Sequence, residues 1–350
     1  MAEDIYSTLA DALNALPNAF PRSESGIELK LLKKVFSEDE AALAARLNGQ
    51  YRPADIIAAA ADESSKTVRG ELLAMAKKGL VWFRKEKGEM LFRLAPFVVG
   101  IYEAQLEHLD HEFSHLFEQY MLEAGKDIMK YEPAIHRALP AFSLAKSEWI
   151  LPYDDVKAII DKGKTFSVRD CICRVQQGLI GKGCDMPRHN CLMMSPHERP
   201  ARPGDITKDE ALAILKECEE VGLVHCVGNH QAELTYICNC CGCCCGVLRG
   251  ITEWGLENSV AHANYFAVID PEECTNCGTC IDRCQVKAIS EEGGVSVVDI
   301  NKCIGCGLCV TGCSENVAKL VRKPDEEIVH PPIDFFEWEE ERRQNRNIGN

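Results

Sequence analysis

Apolar positions in the first 130 residues recur at helical intervals. Ile5, Leu9, Leu13 and Leu16 predict an amphipathic helix, followed by a loop around Pro17, Pro21 and Gly26. Helices are expected at 27–35 and 38–47, the second opened by Ser37 with Glu40 three residues on, the pair of a capping box. Pro53 opens a short helix carrying Ile56 and Ile57, and Asp62–Ser65 reads as a turn. Val68, Leu72, Met75 and Ala76 give one buried face to a helix over 64–78, with Gly79 as its C′ residue. Strands at 80–84 and 90–94 then flank the tip Lys85-Glu86-Lys87-Gly88. From Pro96 onward Tyr102, Leu106, Leu109, Phe113, Leu116, Phe117 and Tyr120 recur every three or four residues, so a long helix near 97–124 is expected.

Two helices followed by a hairpin over 53–94 predict a winged-helix-like module. Between Ser64 and Arg93 the bases Lys66, Arg69, Lys77, Lys78, Arg84, Lys85, Lys87 and Arg93 face the acids Glu71, Glu86 and Glu89. Such a basic island suits either a DNA-binding face or a docking module. No Asn, Gln or aromatic side chain is placed to read base edges, which favours docking. The long helix offers a homodimer contact. It also carries His111-Glu112-Phe113-Ser114-His115, an H-E-x-x-H match. The histidines fall among Glu107, Asp110 and Glu118, with no third ligand nearby, so a solvated helix face is expected rather than a zinc site.

Composition separates the chain into parts. Its 350 residues carry a formal net charge of −15, which argues against nucleic acid wrapped over the whole surface. All 20 cysteines lie at or after Cys171. The first residues carry acids and no apolar run, so no signal peptide is expected, and no stretch is apolar enough to span a membrane. A reducing cytoplasm follows, with cysteines as metal ligands rather than disulfides. Pro133, Pro140 and Pro152 mark 131–168 as a loop-rich linker that ends in a helix.

The cysteines fall into distinct runs. Cys274, Cys277, Cys280 and Cys284 are repeated 29 residues later as Cys303, Cys306, Cys309 and Cys313. The spacing C-x2-C-x2-C-x3-C is that of bacterial two-cluster ferredoxins and predicts two 4Fe–4S clusters. A middle group holds Cys171, Cys173, Cys184 and Cys191, and a dense run holds Cys238, Cys240, Cys241, Cys243, Cys244 and Cys245. Four thiols suffice for one tetrahedral zinc or one 4Fe–4S cluster. Iron is favoured, because cluster assembly is already implied next door, and these ten cysteines are expected to bind one or two further Fe–S clusters. Cys218, on an amphipathic helix, and Cys226, after a strand, read as ordinary core residues. His189, His197, His225 and His230 are weaker ligand candidates.

The stretches Leu151–Val156, Cys171-Ile172-Cys173-Arg174 and Ile237–Gly246, with the dicluster repeat, resemble the large ferredoxin-type 4Fe–4S binding proteins of anaerobic bacteria and archaea. The resemblance covers about 26–323 and implies cytoplasmic electron transfer. By the two-cluster ferredoxin pattern, Cys274, Cys277, Cys280 and Cys313 hold one cluster, and Cys303, Cys306, Cys309 and Cys284 the other. Gln285 and Ser314 stand where that pattern has proline.

The expected fold is α+β: a helical, winged-helix-like domain over 1–130, a cysteine-rich domain over 131–262, a two-cluster ferredoxin domain over 263–323 and a tail over 324–350. In the tail, Phe335, Phe336 and Trp338 suggest packing on a partner or on the chain's own body. The expected function is a relay of single electrons, as subunit or donor of a larger redox enzyme rather than as a stand-alone enzyme. Two alternatives stand: a redox-responsive DNA-binding regulator, and a reductase with its catalytic centre among the middle cysteines. No catalytic residue is identified.

Overall fold

A computed structural model describes residues 4–59, 63–144 and 150–348. It is a mixed α+β structure that divides into two compact units. One holds residues 1–131 and 340–350, the other residues 132–339.

In the first unit the predicted helices form at Ile5–Asn14, Ile27–Val35 and Glu38–Ala44. The Ser37–Glu40 capping box is made in both directions. Strand β1 (Arg52–Pro53) leads into helices Ala54–Ala59 and Ser65–Lys77. The expected turn at Asp62–Ser65 lies partly outside the described residues. Strands β2 (Val81–Glu86) and β3 (Glu89–Leu94) then pair antiparallel, and β1 joins the far side of β3. The hairpin tip is shorter than expected. Only Lys87 and Gly88 lie between the strands, both at positive φ (50° and 89°), as a tight primed turn requires.

The helix expected over 97–124 is broken. A distorted turn covers Phe97–Ile101, short turns follow, and the regular helix runs from His111 to Met129. Asp110 starts it, accepting a hydrogen bond from the Phe113 amide at 2.6 Å. The break lets the ring of Tyr102 stack on Phe117 with centroids 3.7 Å apart. In one continuous helix these residues would stand about 22 Å apart along the axis. The apolar periodicity therefore belongs to two segments that pack on each other. The C-terminal segment closes this unit: the buried Arg342 donates to the backbone carbonyls of Pro17, Ile128 and Tyr131.

The second unit is built on a six-stranded sheet of β4 (His136–Ala138), β5 (Thr165–Asp170), β6 (His189–Ser195), β7 (Asp205–Ile206), β8 (Val224–Gly228) and β9 (Tyr236–Cys240). Its order is β4-β8-β9-β6-β5-β7. The region expected to be a linker thus supplies an edge strand. One face packs Phe166, Leu192, Ile237 and Val227 against Val156, Ile160, Ala211 and Leu215 of the helices Val156–Asp161 and Lys208–Glu220.

The cysteine repeat is also a backbone repeat. Positive φ occurs at Asn276 and Gly305, at Gly278 and Gly307, and at Lys287 and Asn316, each pair separated like the cysteines. Strands β10 (Tyr265–Ile269) and β13 (Ala318–Arg322) pair, as do β11 (Ile289–Glu292) and β12 (Val295–Val298). Trp338 is buried and donates its indole N–H to the carbonyl of Ala134 at 2.9 Å, so this part of the tail packs on its own body. Among the described residues, no helix is long and apolar enough to cross a membrane.

Candidate metal centres

In the repeat, each run starts with a loop that a left-handed glycine turns into a short helix. Gly278 precedes Thr279–Asp282 and Gly307 precedes Leu308–Thr311. Cys280 and Cys309 therefore sit in equivalent first turns. The fourth cysteines cross over in space. Cys274, Cys277, Cys280 and Cys313 line one cavity, together with Ile269, Val317 and Ala318. Cys284 lies instead in the field of Cys303, and Cys309 in the fields of Cys303 and Cys284. Two thiol sets result, each with three members from one run and one from the other.

The two sets differ in environment. Backbone hydrogen bonds from Ser296 and Asn276 lower the Cys274 thiol, and hydrogen bonds from Thr279 lower Cys277. Burial pushes Cys309 up to about 12 and raises Cys284, although the Ala288 amide donates to the Cys284 sulfur at 3.1 Å. N–H···S bonds and burial both tune a bound cluster's potential. The donor set, all thiols with backbone amides around them, fits a 4Fe–4S cluster in each place.

The middle cysteines regroup in a way their order does not suggest. Cys184, from the first group, meets Cys241, Cys243 and Cys244 from the dense run, all four sulfurs lying within 4.8 Å of one another. Sulfur separations are 3.9 Å for Cys184–Cys241, 3.7 Å for Cys184–Cys244 and 3.8 Å for Cys243–Cys244. With metal–sulfur bonds of about 2.3 Å, a tetrahedral ion sets its ligand sulfurs about 3.8 Å apart. The spacing is that of four thiolates on one ion. Hydrogen bonds from Cys243 and Cys244 hold the Cys241 thiol far below its usual range, while Cys241 pushes Cys243 up to about 12. Cys243 is exposed, Cys184 half-buried and the other two buried.

The remaining members of the predicted set, Cys171, Cys173, Cys191, Cys238, Cys240 and Cys245, lie elsewhere, on and beside the sheet. Cys218 packs against the Cys184 group with Leu223, Cys241 and Cys244, as a buried core residue would. Cys226 is paired across strands with Cys238. That position was masked in the sequence by distance: only the β8–β9 register brings the two together. None of the four candidate histidines joins a thiol group. His189 pairs with Asp170, His225 with Asn239 and His230 with the Ala232 carbonyl, while His197 is exposed. His111 and His115 approach to 3.3 Å on an exposed helix face, with no third ligand beside them among the described residues, and Glu112 pairs with Lys34.

A three-residue junction joins the repeat to the middle region. Arg283 donates to the carbonyls of Glu219 and Glu220, both at 2.8 Å, at the end of helix Lys208–Glu220, where a cation is favoured. Gln285 donates to the Gly222 carbonyl and accepts from the Gly242 amide. Cys284 lies between them.

Residues 266–314 match a family model described as a 4Fe-4S dicluster domain. The match implies two 4Fe–4S clusters, and the Cys184 group suggests a further site. No curated protein matches the chain.

Proposed function

We propose that the chain is an electron-transfer iron–sulfur protein whose dicluster region and cysteine-rich middle region form one relay. The observation that carries this reading is the junction Arg283-Cys284-Gln285. It sets a ligand of one ferredoxin cluster against the loop that carries Cys241, Cys243 and Cys244. Cys226 on β8 also lies in the field of Cys306. Bound 4Fe–4S clusters supply one-electron chemistry over a wide range of potentials. The chain's own residues do the rest. Cys274, Cys277, Cys280 and Cys313 hold one cluster, and Cys303, Cys306, Cys309 and Cys284 the other. The Ala288 amide and the buried surroundings of Cys284 and Cys309 set the two apart in potential. No acid–base group is needed for this task.

The first unit is read as a winged-helix-like docking module through which the relay meets a larger redox enzyme. Its basic island is weaker than its sequence suggests. Arg93 is buried with its guanidinium over Trp82 and Tyr51, Lys78 pairs with Glu40 and Arg84 with Glu86. Lys66, Arg69, Lys77, Lys85 and Lys87 stay exposed.

The test is a reductive titration of the full chain, purified without oxygen. At least two electrons per chain, with EPR signals of two reduced clusters, are expected. A chain that holds iron but takes up no electrons above the hydrogen potential or under dithionite would sink the relay. Salt-sensitive DNA binding that changes with cluster state would instead favour a regulator.

A further inference from the structure

The thiols left over from the Cys184 group are not scattered. Antiparallel register places Cys226 opposite Cys238 and Leu192 opposite Ile237. Cys191, one residue before Leu192, therefore stands beside Cys238 on the next strand. Cys191, Cys238 and Cys226 form a row across β6, β9 and β8, and Cys240 follows two residues on along β9. Side chains alternate between the faces of a strand, so all four share one face. The opposite face of the same strands carries Leu192, Ile237 and Val227 in the aliphatic core.

Three further thiols join the row from its ends. Cys171 and Cys173 stand at the start of helix Ile172–Leu179, directly after β5, and Cys245 lies in the loop after β9. Interactions link them in sequence: Cys171 with Cys173, Cys173 with Cys245, Cys245 with Cys240, Cys240 with Cys226 and Cys238, and Cys238 with Cys191. Seven thiols thus make one connected group. Core packing does not call for this, because a sheet face that only needs apolar filling takes aliphatic side chains, as the other face does.

Charge gives an independent reason. Arg174 is 1% exposed. It donates to the Asn239 carbonyl at 3.0 Å, to Asn190 Oδ1 at 2.6 Å and to the Cys241 sulfur at 3.6 Å. None of these partners is a carboxylate. A buried guanidinium without a counter-anion is costly. Its electrostatic neighbours are the thiols of Cys171, Cys241 and Cys240. Cys241 belongs to the Cys184 site, but Cys171 and Cys240 belong to the seven-thiol group, and metal-bound thiolates at those two positions would share in balancing the buried charge, which neutral thiols there cannot do. One tetrahedral ion uses four thiolates. Seven in one group call for a polynuclear centre.

We propose that this seven-thiol group holds an iron–sulfur cluster of its own, separate from the Cys184 site and from the two ferredoxin clusters. Cys226 belongs to its surroundings rather than to the apolar core. Cys226 pairs with Ala138 on β4, and three residues on the Ala141 amide donates to the Cys306 carbonyl at 2.9 Å, which places the new centre next in line after the ferredoxin cluster of Cys303, Cys306, Cys309 and Cys284.

The test counts iron, acid-labile sulfide and zinc per full chain after anaerobic reconstitution with ferrous iron and sulfide. The two ferredoxin clusters account for about eight iron. The wild-type chain is expected to hold roughly four more, with matching sulfide. That excess should vanish in the Cys173→Ser/Cys245→Ser variant and persist in Cys184→Ser/Cys243→Ser, with the ferredoxin signals unchanged in both. A wild-type count that stops at about eight iron, or zinc in place of the excess, overturns the proposal even if the variants do not fold. The proposal rests on the relay reading only for its place in line. Loss of the ferredoxin iron in Cys277→Ser/Cys306→Ser, with the excess retained, separates the two.

Discussion

The backbone amide of Gly242 is held by Gln285 Oε1 at 2.9 Å, and a Cβ on Gly242 would lie 1.9 Å from the Gln285 carbonyl oxygen. The residue that replaces the usual proline after Cys284 is thus the latch between the dicluster repeat and the middle thiols, and only glycine lets the two backbones approach this closely. Gly242→Ala must push them apart. We expect a loss of about 1–3 kcal/mol in unfolding free energy, as for other overpacked sites. Metal at Cys241, Cys243 and Cys244 should fall with it. Thermal unfolding and metal analysis of the variant give both readouts, and wild-type stability would refute the contact.

Gln285→Ala removes two hydrogen bonds, to Gly242 and Gly222, without a clash. The expected loss is roughly 1–3 kcal/mol. Gln285→Pro restores the ferredoxin pattern but can make neither bond, so it should be no more stable than the alanine variant. A chemical denaturation series over the three proteins decides.

The crossing of the fourth cysteines predicts a pattern of non-additivity. Cys277 and Cys313 line one cavity, so Cys277→Ser and Cys313→Ser should remove the same cluster, and the double variant should lose no more iron than either alone. Cys277→Ser/Cys284→Ser should lose both clusters, about eight iron instead of about four. The reverse pattern, with both clusters lost in Cys277→Ser/Cys313→Ser and only one in Cys277→Ser/Cys284→Ser, would mean that each run binds its own cluster.

The Cys184 group should take one ion per chain. Cobalt supplied in place of the native metal is expected to give the intense thiolate bands of a tetrahedral site, absent in Cys184→Ser. Octahedral cobalt spectra, or unchanged bands in that variant, would contradict a four-sulfur site at Cys184, Cys241, Cys243 and Cys244.

His136 supplies a pH dependence. Burial lowers its pKa from 6.5 to about 4, and neither ring nitrogen has a hydrogen-bond partner among the described residues. The unfolded chain therefore takes up a proton at higher pH than the folded one. The stabilising effect of the neutral ring is complete above about pH 6.5 and is lost as pH falls towards 4, by up to about 3 kcal/mol. His136→Phe should flatten the stability profile over that window. An unchanged slope would assign it to other groups.

The dicluster region was legible in the sequence because its ligands are local. A 29-residue repeat of C-x2-C-x2-C-x3-C needs short loops, and the positive-φ positions repeat with it. The capped helices and the 81–94 hairpin were legible for the same reason: caps, turns and alternation are decided within a few residues. The helix expected from Pro96 was not, because periodicity records which side chains are buried and is silent on whether they are buried by one helix or by two segments folded together.

The middle thiols mark the boundary most clearly. Sequence alone determined that thiolate chemistry resides between Cys171 and Cys245 and that two 4Fe–4S clusters follow. It set Cys184 with Cys171, Cys173 and Cys191, and Cys226 in the apolar core. Tertiary structure decided otherwise, moving Cys184 to Cys241, Cys243 and Cys244 and lining up Cys191, Cys238 and Cys226. The physical reason is that a metal site collects ligands by distance in space, and distance between strands is set by register, which no local spacing encodes.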